Sequence, residues 1–345
     1  MSEEKTTPIA ELGEFGLIQH LTKNTEIKNA STILGIGDDA AVLDNLGKQT
    51  VVSTDMLIEG VHFDLMYMPL KHLGYKAVVV NLSDIYAMNA MPTHITVSMA
   101  LSSRFTVEAM EEIYEGIHLA CDRYGVDLIG GDTTSSLKGL ALSLTAIGEV
   151  NDSGFVPRSG AKDNDLICVS GELGGAYMGL LLMEREKKVF LANPEIQPEM
   201  TGKEYILQRI LKPEAREDII KWLKEYEIVP TSMIDVSDGL SSELHHICKQ
   251  SQTGCKIFEE KLPVNEATKS MAMEFSMASS TAVLNGGEDY ELLFTVKQED
   301  YEKIMMTEQI SIIGHMTEAS AGLTFVSNSN QEFPIEAQGW NPIKK

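Results

Sequence analysis

The sequence predicts an α+β protein of two domains, an N-terminal mixed or antiparallel sheet with helices followed by a C-terminal α/β domain. Three observations carry this. Strand-like and helix-like segments intermingle without strict βαβ alternation. A chain of 345 residues that is 43% hydrophobic has enough apolar side chains for two cores. The polar, Gly- and Pro-containing run EVNDSGFVPRSGAKD at 149–163 separates them, giving domains over 1–150 and 151–345.

Each element follows from local pattern. Pro8 opens a short helix over Ile9 to His20. Two strands joined by the turn Asp44-Asn45-Leu46-Gly47 follow, the second including Thr50 to Thr54. A helix over about Lys71 to Met88 leads to a strand over His94 to Leu101 and a helix over Val107 to Tyr124. The latter alternates Glu108, Glu111, Glu112 and Glu115 with Val107, Met110, Ile113 and Tyr114, an amphipathic pattern. Strands VDLIGG and LALSLTAIGEV close the first half. The second half runs from a strand at Asp165 to Ser170 through the turn SGELGG and a helix over Ala176 to Glu184. A charged connector over Lys187 to Lys203, a helical pair, the strand SMIDV and the helix GLSSELHHICKQ come next.

Charge excludes some partners. Against 28 Lys+Arg stand 51 Asp+Glu, a net charge of -23, which repels nucleic acid and anionic membrane surfaces. The most apolar stretch, Lys76 to Met91, is interrupted by Asn81, Asp84 and Asn89, so no membrane span is expected. The N-terminus lacks the apolar run of an export signal, and a cytoplasmic location is expected. Cys121, Cys168, Cys248 and Cys255 form no CxxC pair and read as reduced structural thiols.

Gly35-Ile36-Gly37-Asp38-Asp39-Ala40, with Asp55 downstream, imitates a dinucleotide fingerprint. A strand and turn follow it where that fingerprint needs a helix, and two aspartates would face the pyrophosphate. No GxxxxGK[ST] loop is present either. The stronger signal is aspartates at the ends of apolar segments: Asp38-Asp39 after LGIG, Asp55 after VVST, Asp84 after VVVNLS, Asp132 after LIGG, and Asp235 and Asp238 around VS. Carboxylates gathered at such ends hold a hard cation such as Mg²⁺. Asp38, Asp132 and Asp238, each beside glycine, equally fit turn formers or helix caps.

Adjacent extended residues face opposite ways, so Asp38 and Asp39 are not both expected on one metal. Ser237 or Asp238 is placed to cap the following helix or to receive a metal-bound phosphate. Arg158, in PRSGAK, offers a bidentate guanidinium for a phosphate, with plain surface charge the alternative. His62 lacks metal-ligand spacing, His245-His246 reads as structural, and no nucleophile constellation is present.

At these motifs the chain resembles the thiamine-monophosphate kinase family nearly end to end. The likeness comprises GEFGLI at 13–18, GIGDDAAVL at 35–43, STDMLIEGVHF at 53–63, YKAVVVNLSDIYAMNAMP at 75–92 and LIGGDTT at 128–134. It continues with RSGAK at 158–162, IDVSDGLSSEL at 234–244 and GGEDYELLFTV at 286–296. The resemblance implies a two-domain fold like aminoimidazole ribonucleotide synthetase, dimerised through N-terminal sheets, with ATP and metal bound by the first domain and the active site completed by the second. It implies metal ligands at Asp39, Ser53, Thr54, Asp55, Asp84, Asp132, Asp235 and Asp238, with Asp84, Asp39, Asp55 and Asp132 central to catalysis. ATP contacts are implied at Gly131, Asp132, Arg158 and Ser237, with Tyr114 a candidate for the base. Acceptor contacts are implied at His62, Glu288 and Trp340. Expected partners are thiamine monophosphate, ATP and a second copy of the chain.

The residues and the resemblance agree on mechanism. An acceptor phosphate whose second pKa is about 6 is largely a dianion at neutral pH, so no strong general base is needed. What is needed is relief of repulsion between two anions, the work of several Mg²⁺ ions and carboxylates in direct in-line transfer. Alternatives are an enzyme of the selenophosphate synthetase or aminoimidazole ribonucleotide synthetase type, or a non-catalytic acidic binder of divalent ions.

Overall fold

The computed structural model describes residues 32–34, 37–45 and 47–336. The helix expected over Ile9 to His20 and the turn residue Leu46 lie outside them. Among the described residues, β1 (Thr32–Leu34), β2 (Ala41–Asn45), β3 (Lys48–Ile58), β4 (Ala90–Leu101), β5 (Asp127–Ser135) and β6 (Leu140–Val150) form one sheet in the order β1-β2-β3-β6-β4-β5. It is mixed: β4 and β5 run parallel, and its other pairs antiparallel.

The β2–β3 hairpin sets Asn45 opposite Lys48, and the Asp44 carboxylate accepts the Gly47 N–H at 2.9 Å, as the turn chemistry requires. β4 starts earlier than expected, at Ala90, because a register shift between Pro92 and His94 lets the strand take in a proline. β5 runs on to Ser135, so Asp132 too sits inside the strand rather than beyond its end.

Two helices cover one face of this sheet. In α1 (Leu70–Ala87) fourteen of 18 residues are buried, from Leu73 to Ala87, because the helix is wedged between the sheet and the second half of the chain. Its unbroken apolar run reads accordingly as a helix buried on every side. α2 (Val107–Tyr124) has the expected bounds: the Thr106 hydroxyl accepts the Ala109 N–H at its start, and Gly125 ends it with φ 68°. The two helices cross at glycines, since a Cβ on Gly74 would lie 1.9 Å from the Ile113 carbonyl oxygen.

The second sheet comprises β7 (Leu166–Ser170), β8 (Ser232–Asp235), β9 (Thr253–Phe258), β10 (Leu292–Val296), β11 (Ile310–Glu318), β12 (Leu323–Val326) and β13 (Glu332–Pro334). Its order is β13-β12-β9-β11-β7-β10-β8. Around it lie α3 (Gly175–Ala192), α4 (Glu204–Leu211), α5 (Glu217–Glu225), α6 (Leu240–Ser251), α7 (Glu266–Glu274), α8 (Ser279–Asn285) and the short α9 (Tyr301–Ile304). The segment expected as a charged connector from Lys187 is still helical to Ala192. A continuous core joins Val79, Leu82 and Ile85 of α1 and Leu142 of β6 to Met233, Phe294 and Val296 of the second sheet. Side chains at this seam are therefore held from both sides.

Candidate active site

At the seam the chain gathers carboxylates from four distant segments. Asp39 precedes β2, Asp55 lies on β3, Asp84 ends α1 and Asp235 ends β8. Oxygens of Asp39, Asp84 and Asp235 all lie within 4.8 Å of one another. Ser53 Oγ donates to Asp84 Oδ2 and to the Asp39 carbonyl, the latter at 3.3 Å. Ser83 Oγ donates to Asp235 Oδ2 at 2.6 Å, and the Asn81 side-chain oxygen accepts the Asp55 N–H at 3.0 Å. Ser83 and Asn81 are members the sequence reading passed over. Their signal was polarity inside the apolar run VVVNLSD, where a buried hydroxyl or amide must find a partner.

Asp38 and Asp39 diverge, as alternation requires. The Asp38 carboxylate accepts the backbone N–H of Arg158 at 3.0 Å and that of Asp39 at 3.0 Å, pinning two segments together. Asp39 turns into the cluster, where Arg158 grips it bidentately. The Arg158 side chain is 16% exposed, which rules out plain surface charge. Thr54 is out of phase with Ser53 and Asp55: its hydroxyl donates to the Leu144 carbonyl at 2.8 Å on the other side of β3, away from the carboxylates.

Electrostatics make this cluster a candidate cation site. Burial first, then the neighbouring carboxylates, push Asp235 up to about 8 and Asp55 to about 6, and raise Asp84 well above the ordinary range. Burial and Asp39 likewise raise Asp38 to about 7. Such a group of acids ionises together only when cations compensate it, and its donors are all hard oxygens. The donor set fits Mg²⁺, with Asp39, Asp84 and Asp235 as carboxylate ligands and Asp55 beside them.

Beyond Asp235 the loop to α6 carries Ser237 and Asp238. The N-cap position of α6 falls on Gly239, and Glu243 reaches back to accept the Asp238 N–H at 2.8 Å. The Ser237 carbonyl accepts the Glu288 N–H at 2.8 Å, bringing the GGEDY loop alongside. Glu288 pairs with Lys76 of α1 at 3.0 Å. His62 lies near both. Burial lowers its imidazole below the ordinary value, Glu288 opposing and Lys76 adding to the effect, while its Nδ1 accepts the Ile58 N–H at 3.0 Å. Trp340 lies outside the described residues. His245 is structural, hydrogen-bonded through Nε2 to the Ile335 carbonyl at 2.9 Å, and the four cysteines are buried and unbridged.

Gly131 and Asp132 stand apart from the acids, on exposed β5 at the opposite side of the sheet. They line a groove with Val97, Tyr114, Leu128, Gly130 and Thr133. Gly131 shares a cross-strand row with Val97, Leu144 and Asp55, whereas Asp132 belongs to the next row, with Ser98, Ser143 and Met56. Three strand spacings, about 14 Å, separate β5 from β3. Within this single chain Asp132 is thus not brought to the carboxylate cluster.

The fold and this cluster place the chain among AIR synthase-related proteins: a family model described as AIR synthase related protein, N-terminal domain, matches residues 37–150. A thiamine-monophosphate kinase of Bacillus subtilis (strain 168) is 34% identical, covering 96% of this chain and 100% of that protein. The thiamine-monophosphate kinase of Aquifex aeolicus (strain VF5) is likewise 34% identical, over 96% of this chain and 98% of that one. Among solved structures, AaThiL complexed with AMPPCP and TMP matches with a TM-score of 0.84 at 31% identity, covering 97% of this chain and 99% of that chain. The chain belongs to the thiamine-monophosphate kinase family.

Proposed function

We propose that the chain transfers the γ-phosphoryl group of ATP directly to the phosphate of thiamine monophosphate, giving thiamine diphosphate and ADP. The observation that carries this is the convergence of Asp39, Asp84 and Asp235, with carboxylate oxygens within 4.8 Å of one another. Mg²⁺ bound there supplies the positive charge that lets two phosphates approach.

In this reading the groove beside Gly131 takes the nucleotide, with Tyr114 against the base. Arg158 and the Ser237 loop receive phosphate oxygens at the cluster, and His62 and Glu288 hold the acceptor. Residues 1–150 then bind nucleotide and metal, and residues 151–345 complete the site with Asp235, Ser237 and Glu288. Asp132, turned from the cluster, meets ligand on its own face of β5.

A homodimer through the N-terminal sheets is part of the proposal. What supports it is the open edge β5 and the exposed Met56, Ile58 and Ile129 on and beside the uncovered face. As an enzyme that consumes ATP, it is assigned to the cytoplasm. No helix among the described residues is long and apolar enough to cross a membrane. The test is ADP release over a panel of acceptors with the product identified by mass. Thiamine monophosphate should give thiamine diphosphate. ADP release with another acceptor alone would assign the chain to a different member of the superfamily, and no nucleotide dependence at all would favour a divalent-ion binder.

A further inference from the structure

Lys76 is the one charge in the run YKAVVVN, and its side chain is only 1% exposed. Its Nζ has two partners: the Glu288 carboxylate at 3.0 Å and the Ile210 carbonyl at 3.3 Å. An ammonium so deep in a core is costly unless paired. The Glu288 side chain, by contrast, is 27% exposed.

The loop that presents Glu288 is held in an unusual shape. Glu288 and Tyr290 both have positive φ, 64° and 52°, which non-glycine residues adopt at a cost. Buried Asp289 between them accepts the N–H groups of Gly174 and Ala176, at 2.6 and 3.2 Å, where α3 begins. The Ser237 and Val236 carbonyls accept the N–H groups of Glu288 and Tyr290, at 2.8 and 2.9 Å. These backbone contacts fix the loop, and among the described residues Lys76 is the ion-pair partner of the Glu288 carboxylate.

We infer that Lys76 is a positioning residue for the acceptor: its buried ammonium ties down Oε1 of Glu288, so that the other carboxylate oxygen is presented in one orientation to a cationic or N–H-bearing ring. This rests on the reading of Glu288 as an acceptor contact. Lys76 itself never touches substrate. Losing its charge frees Glu288 to turn into solvent and weakens ground-state binding of the acceptor alone.

The experiment measures KM for thiamine monophosphate and for ATP, kcat, and melting temperature in Lys76→Met, Lys76→Arg, Glu288→Gln and the double variant Lys76→Met/Glu288→Gln. Methionine fills the lysine's volume without charge, so Lys76→Met should keep or raise the melting temperature. It should raise the acceptor's KM about tenfold, the scale of one charge-assisted hydrogen bond. KM for ATP and kcat should stay put, and Lys76→Arg should recover part of the loss. Glu288→Gln strands a buried ammonium and should destabilise, which the double variant relieves. Acting through Glu288, Lys76→Met should add nothing to Glu288→Gln, so the double variant matches the worse single variant. A lowered melting temperature with an unchanged KM ratio, or additive losses, overturns the inference. If Glu288→Gln raises the acceptor's KM and Lys76→Met does not, the inference alone falls. If the double variant binds acceptor normally, the role of Glu288 falls with it.

Discussion

The Arg158 guanidinium holds the Asp39 carboxylate by two hydrogen bonds, Nε to Oδ2 at 2.9 Å and Nη2 to Oδ1 at 2.7 Å. The cation of one segment thereby occupies a carboxylate proposed as a metal ligand, and the arginine proposed for a phosphate is engaged by it. On the proposed roles, metal on Asp39 and phosphate on Arg158 would be coupled, since each partner released by one ligand becomes available to the other.

Arg158→Gln should accordingly tighten divalent-ion binding in the absence of nucleotide, several-fold, because a competing cation is gone. The same change should raise KM for ATP roughly tenfold through loss of a charge-assisted contact. Titration with Mn²⁺ followed by electron paramagnetic resonance reads the first effect. Metal affinity that is unchanged or weaker would show that Arg158 and the ion do not compete.

Asp84 stands at the centre of the acids, hydrogen-bonded by Ser53. Asp84→Asn should reduce transfer about a hundredfold or more, the scale for losing a group that organises developing charge. Because it also removes a buried, mutually repelled carboxylate, the melting temperature of the metal-free protein should hold or rise. Near-normal turnover by the folded variant at limiting Mg²⁺ is the outcome that removes Asp84 from the site.

The raised carboxyl groups predict how stability follows pH. Asp55 and Asp235 titrate in the fold at about 6 and about 8, above the unfolded value of 3.8, so the native state binds more protons than the unfolded state between those limits. Stability of the metal-free protein must then fall as pH rises from about 4 and level off past about 8. Mg²⁺ should flatten the curve, and Asp235→Asn should reduce its slope. Melting curves from pH 5 to 9 with EDTA or Mg²⁺ check this; a curve that rises toward pH 8 with EDTA contradicts it.

Gly131 faces β4 so closely that a Cβ there would lie 1.8 Å from the Val97 carbonyl oxygen. Gly131→Ala must shift β5 and narrow the groove, raising KM for ATP several-fold while the acceptor's KM stays put. Equal changes in both would mean that the groove does not hold the nucleotide.

Much of this was legible in sequence because local chemistry agreed with the fold. Thr106 and Gly125 bracket α2, Asp44 and Gly47 make the hairpin turn, and the aspartates mark the seam. What escaped depended on distant partners. The run DTTS, beyond the expected VDLIGG, continues the strand because β4 pairs with it through Ser135. The partner of Arg158 lies 119 residues away, and the partner of Lys76, Glu288, comes from the far half of the chain. Ser237 and Asp238 read as helix caps or as receivers of a phosphate; the cap position falls on Gly239, and the GGEDY loop docks on the Ser237 carbonyl.

The central claim is direct transfer between two phosphates over a carboxylate site without a protein nucleophile. It is tested most directly with ATP labelled at the γ-phosphorus, incubated with thiamine monophosphate and Mg²⁺, then quenched, with label traced to small molecules and to denatured protein. The account predicts that the label appears in thiamine diphosphate, in step with ADP, and that none stays on the protein. Label held covalently on the chain, or ADP formed without labelled thiamine diphosphate, would contradict it.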